Sequence, residues 1–234
     1  MADSATAARI KAALERTADI DLHHNRIDVI GGSDIRLEGE VSNIAVKRRA
    51  LQIARELANG KVEDRLLLRV ERKRVDSELL QAVLDALTSE PVFRDFVIRP
   101  RQGDAPPEQR DWIEVDVDGP RVRLYGQAWS LSHRRLAEVL AWWVPGTADV
   151  DNRIRVQPAE QDNDAEISDA VRLVLDKDPS LDAEQIRITT RNGEVYLQGT
   201  VTSDVNRRMA DYDCWYIPGV HKVHNDLQVR SSRY

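Results

Sequence analysis

Arginine and tryptophan recur together in two stretches, "RRLAEVLAWW" (134–143) and "RRMADYDCWY" (207–216). Arg135 and Trp142 stand seven residues apart, as do Arg208 and Trp215, and on a helix that spacing puts each pair on one face. A guanidinium pairs with phosphate or carboxylate, and an indole favours the boundary between apolar and wet surroundings. Such a face suits contact with lipid headgroups or with a partner protein. The alternative is that both indoles pack on a neighbouring part of the chain or cover the edge of their own core. Arg134 and Arg207 extend the candidate set. They sit where a helix should begin, a place the helix dipole makes unfavourable for cations, so they read either as sites for partner carboxylates or phosphates or as solvated helix starts.

Other residue types do not organise into catalysis. His23, His24, His133, His221 and His224 are scattered, and His221 and His224 lack a Cys or acidic partner at metal-ligand spacing. Cys214 stands among apolar neighbours in a helical pattern, which suits an inert buried thiol. Phosphate-loop and dinucleotide glycine motifs are absent, so no enzyme and no cofactor are expected. A net charge of −6, from 40 acidic against 34 basic residues, opposes nonspecific attraction to nucleic acid, and neither an RRM signature nor a KH-type GxxG loop is present. The opening residues carry no apolar stretch of signal-peptide length and no segment reads as a transmembrane span, so the expected location is cytoplasmic, or periplasmic if a leader has been removed.

The elements that must position these residues are repeated. Residues 35–70, 122–156 and 195–229 superpose in sequence: Arg48-Arg49, Arg134-Arg135 and Arg207-Arg208 are each followed, 11 residues after the second Arg, by Gly60, Gly146 or Gly219. Ten residues further stand Val70, Val156 and Val229. Upstream, Leu79, Val83, Leu87 and Ile167, Val171, Leu175 form i, i+4, i+8 stripes of a first helix, with Asp76 and Asp164 in N-cap position. The first copy has Thr6 in that register, followed by Ile10 and Leu14. A hairpin follows each helix, turning at Gly31-Gly32, Asp118-Gly119 or Asn192-Gly193, the last a type I′ signature. Gly39, Gly126 and Gly199 then mark a bulge or the close approach of a packed helix. The second helix takes Leu136, Val139, Leu140 and Trp143 as its buried stripe in the middle copy, and Met209, Tyr212, Asp213 and Tyr216 in the last. It ends at Gly60, Gly146 or Gly219 as a C′ glycine, and a final strand follows.

Each copy therefore reads αββαβ. The fold class is α+β, three tandem modules with two helices on one face of a small three-stranded mixed sheet. The modules span 1–72, 75–158 and 162–231, and the middle one carries an insertion near 99–111, "RPRQGDAPPEQRD".

This order, the LxG at the end of the second strand, and the closing "PGVHKVHNDLQV" resemble the BON domain, a family named for bacterial osmotically induced and nodulation proteins. The resemblance is strongest in the third copy. In the second, Thr147 replaces a valine, and the first, "ANGKVEDRLLLRV", lacks the Pro and the Asn. It implies a non-enzymatic module, often in tandem, usually periplasmic or attached to the outer membrane, and associated with phospholipid binding and envelope integrity. A cytoplasmic branch, joined to a peptidoglycan-type repeat domain, binds potassium. The expected partners are thus anionic phospholipid or an envelope-linked protein, with a scaffold role, potassium sensing, and homo-oligomerisation through module faces as the other readings.

Overall fold

The computed structural model describes residues 4–58, 61–103 and 111–230. The chain separates into two compact units, Met1–Glu71 and Arg72–Tyr234. The first is one module: α1 (Ser4–Arg16), β1 (Arg26–Ile30), β2 (Ile35–Val41), α2 (Ile44–Leu57) and β3 (Val62–Leu68). The central strand β2 pairs antiparallel with β1 and parallel with β3. A parallel neighbour cannot be reached by a tight turn, so α2 serves as the crossover and lies on the sheet. Ile10 and Leu14 from α1, with Ala50, Leu51 and Ala54 from α2, cover Ile35, Leu37 and Leu66.

The second unit repeats the plan twice. The middle module has α3 (Asp76–Thr88), β4 (Val97–Pro100), β5 (Trp112–Asp118), β6 (Arg121–Ala128), α4 (Leu131–Trp143) and β7 (Asp149–Val156). The last has α5 (Asp164–Lys177), β8 (Ile186–Arg191), β9 (Glu194–Val201), α6 (Asp204–Tyr216) and β10 (Lys222–Val229). The α+β reading holds, with one correction: the middle sheet has four strands, in the order β4-β5-β6-β7. The extra edge strand β4 takes Arg99 and Pro100 from the segment read as an insertion, and Pro100 is tolerated because it ends an edge strand. Residues 104–110 of that segment lie outside the described residues.

Several local assignments change. Asp76 and Asp164 are the first helical residues and not caps. Asn163 caps α5, its side chain accepting from the N–H groups of Ala165 and Glu166 at 2.9 and 3.2 Å. Asp164 is thereby free to accept from the N–H groups of Asn192 and Gly193 at 2.7 and 2.9 Å, fastening α5 to the hairpin tip. Asn192 and Gly193 have φ of 51° and 72°, as a type I′ turn requires, whereas Gly31 and Gly32 lie in a longer loop and neither has positive φ.

The glycines also serve differently. α4 and α6 stop at Trp143 and Tyr216 because Val144 and Ile217 precede proline and are held extended. Gly146 and Gly219, φ 108° and 96°, are the third residues of type II turns closed by Thr147 N–H to Val144 O and Val220 N–H to Ile217 O. They are not C′ glycines, and Gly60 lies outside the described residues. Gly39, Gly126 and Gly199 yield not to an α-helix but to adjacent backbone: a Cβ there would strike the carbonyl oxygen of Arg26 in β1, Trp112 in β5 or Gln185 just before β8.

The asparagine of the closing motif has a structural task. Asn152 and Asn225 donate to the carbonyls of Arg134 and Arg207 at 2.8 and 2.7 Å and accept from the N–H groups of Ile154 and Leu227. Each thus ties the second helix to the last strand. Asp64 in the first module still accepts from Leu66 N–H but cannot donate, and buried Lys47 fills the gap by bonding both Asp64 and the Leu66 carbonyl. Lys47→Met is expected to destabilise the first unit by about 1.5–3 kcal/mol, the range for hydrogen bonds to a charged group. Thermal melting of the isolated substitution checks this, and an unchanged melting temperature would contradict it.

Candidate functional site

Helix α4 is buried on two sides. Leu136, Ala137 and Ala141 face the core of the middle module, with Leu140 half-buried beside them. The small side chains of Ala137 and Ala141 let the helix approach the sheet, so the core face is turned by about one residue from the stripe that the large side chains suggest. Trp143, expected in the core, is half-buried instead. The second side carries Arg135, Glu138, Val139 and Trp142, all buried, with Trp142 only 5% exposed. It lies against α5 and α6 of the last module.

The junction is polar at its ends and apolar in its middle. Arg135 Nη2 meets Asp162 Oδ1 at 2.6 Å, and Lys177 Nζ meets Glu90 Oε1 at 2.7 Å. Between them the Trp142 and Tyr216 rings lie 5.9 Å apart, and Leu173 of α5 packs against the core of the middle module. Arg135 and Trp142 are therefore brought together, as their spacing predicts, and the protein surface they contact belongs to the next module. Trp142 Nε1 and Arg135 Nη1 are buried with no protein acceptor.

Beneath this junction lies a feature that sequence reasoning placed in an apolar stripe. Asp213 of α6 is buried beside Asp178, which follows α5. As two carboxylates they face acceptor to acceptor, and the Oδ2 atom of each lies without a donor. Burial, then the negative charge of Asp178 and a hydrogen bond shared with it, push Asp213 up to about 8, against the opposing N–H of Trp143. A carboxyl raised this far favours its protonated form at neutral pH. Tyr216 is pushed to about 12, first by burial and then by Asp213.

The matching face of α6 is open except at Trp215. Arg208 is exposed, Asp211 and Tyr212 are half-buried, and with Arg207 and Asn225 they line a groove of about 230 Å³. Arg207 pairs with Asp204 at 2.9 Å. Trp215 is buried, and Met209, expected in the core, is exposed because Ala210, Cys214 and Ile217 take the inner positions. Arg134 is half-buried. Cys214 is fully buried and its thiol is raised well above the ordinary range by burial, which leaves it unreactive. A larger hollow of about 570 Å³ beside β8 and β9 includes Arg172, but that guanidinium is committed to the carbonyls of Ala183 and Ile186 at 2.6 and 2.8 Å. Among the described residues, no group of three His, Cys, Asp or Glu is placed to hold a metal ion, and no helix is long and apolar enough to cross a membrane.

The family model described as "BON domain" matches residues 2–69, 106–158 and 163–231, most of the chain and one segment for each αββαβ copy. The chain belongs to the BON family. It carries three tandem BON domains, and the second and third form one compact unit through α4, α5 and α6. Two solved structures of CdsD, a structural protein of the type III secretion system of Chlamydia trachomatis, are similar at 15% identity. The match covers 94% of this chain and 95% of the CdsD C-terminal domain with a TM-score of 0.26, and 96% and 91% of the second pair with a TM-score of 0.27. Nothing about function follows from so loose a superposition.

Proposed function

We propose that this three-domain BON protein is a non-catalytic binding protein whose outward contact is a protein, engaged by the open face of α6. The observation that carries this reading is the use of the same face in the preceding module, where Arg135, Glu138, Val139 and Trp142 are buried against protein. A photo-crosslinking residue at Met209, with one at Glu38 on the open sheet face of the first module as control, tests it in the native cells. Protein adducts specific to position 209 are expected. Their absence would remove the reading.

Anionic phospholipid, or an envelope surface carrying it, is the second reading. It rests on exposed Arg207 and Arg208 beside the Tyr212 groove, an arrangement able to hold a phosphate against an aromatic edge. Asp204 and Asp211 share that face and offset the two arginines. Flotation with phosphatidylglycerol vesicles, weakened by salt and by Arg207→Ala plus Arg208→Ala, would favour lipid over protein.

A further inference from the structure

The fold treats its two Arg/Trp faces unequally. On α4 Arg135 and Trp142 are buried against the third module, while on α6 the copy keeps Trp215 buried but leaves Arg208 exposed. The internal contact is therefore heterologous, one surface meeting a different one. The unused copy is also more apolar than a solvated helix face needs to be. Val205 and Met209 are 56% and 39% exposed, and with half-buried Tyr212 they recur at i, i+4 and i+7, an apolar stripe on the outside of the molecule.

We propose that this stripe is closed by α6 of a second copy of the chain, the two helices running antiparallel about a two-fold axis near Met209. The inference rests on the reading of α6 as a protein-contact face and names its partner. Two observations choose that occupant. The first concerns the receiver: α5 meets the middle module through Leu173, which packs on that module's core, and Lys177, which pairs with Glu90, whereas the matching positions of α3 are Asp85 and Ser89. The middle module of another copy thus lacks both the apolar and the cationic group that the internal junction uses. The second is self-complementarity. Antiparallel pairing about Met209 sets Met209 opposite itself and brings Arg208 within one residue of the level of Asp211 of the second copy, twice, and Val205 within one residue of the level of Tyr212. A two-fold contact needs this match of a surface with itself. The face carries Arg207 and Arg208 against Asp204 and Asp211, a balance that gives no net pull toward an anionic membrane and suits reciprocal pairs.

One helix pair buries less than a standard interface, so the dimer is weak and reversible. Sedimentation velocity of the full chain, from micromolar to near-millimolar concentration, is expected to show a monomer–dimer equilibrium that stops at the dimer. Arg208→Asp weakens association at least about tenfold by setting like charges opposite each other, and Arg208→Asp combined with Asp211→Arg restores it. Met209→Lys, at a position already exposed, gives a folded monomer by circular dichroism. A chain that stays monomeric at every concentration, grows past the dimer, or dimerises unchanged with Arg208→Asp would overturn the proposal. If the chain is monomeric yet crosslinks other proteins from Met209, the binding function stands and the second copy is wrong. If it does neither, both fall.

Discussion

Trp142→Ala separates the second and third BON domains, and urea unfolding of the second unit then resolves into two transitions where the native chain shows one. The indole is almost fully buried, faces Tyr216 across the junction and stands outside the core of its own domain. Truncating a buried tryptophan costs about 3–5 kcal/mol, and here the loss falls on docking and not on either core. The ion pairs at the two ends, Arg135 with Asp162 and Lys177 with Glu90, are half open to water at one partner or at the rim and do not replace an apolar centre. Trp142→Phe should be far milder, since Nε1 has no protein acceptor and its removal deletes a buried donor that the junction leaves unpaired. Far-ultraviolet circular dichroism against urea reads both variants. One unbroken transition for Trp142→Ala, at the native midpoint, would show that the modules do not depend on this contact.

The repeat and the αββαβ order were legible because three copies share spacing, and because alternation and i, i+4 stripes report strands and helices directly. Helix phase was less legible. Large side chains dominate a periodicity reading, and in α4 the core-facing positions are partly alanines, so Trp143 drew the stripe one residue away from Leu136, Ala137 and Ala141. The same bias put Met209 inside, where Ala210 and Cys214 take the inner positions, and left Trp142 outside, where packing between domains buries it. The Arg135 and Trp142 pairing was readable from a seven-residue spacing, but its partner was not, since only the chain's three-dimensional return brings Asp162, Leu173 and Tyr216 to it. The β4 strand was hidden by its four-residue length and terminal proline. Asp213 carried one signal that could have been used: it stands where the middle module has Leu140, and a carboxyl in a core-facing register calls for a partner.

That carboxyl sets the second large effect. Asp213 is raised to about 8 in the folded chain, from an ordinary value of 3.8, chiefly by burial and by Asp178. A group whose folded pKa is raised takes up a proton on folding throughout the window between the two values. Its stabilisation is complete below about 4 and is lost as pH climbs to about 8, at up to roughly 1.4 kcal/mol per pH unit. Asp213→Asn removes this titration without changing shape. Its amide can donate to Asp178, as the proton does, while its carbonyl accepts from the Trp143 N–H. The variant is therefore expected to be more stable than the native chain at pH 7 to 9, by at least about 2 kcal/mol, and to lose that advantage toward pH 4. Because Trp143 belongs to the second domain and Asp213 to the third, part of the gain should appear as tighter docking. Urea midpoints at pH 4.5, 7 and 9 for both chains decide the matter. A difference that stays constant with pH would mean that Asp213 is ionised in the fold, its second oxygen satisfied in some other way. A protonated Asp213 accounts for how the inner side of α6, otherwise lined by Ala210, Cys214 and Trp215, tolerates a buried acid beside Asp178.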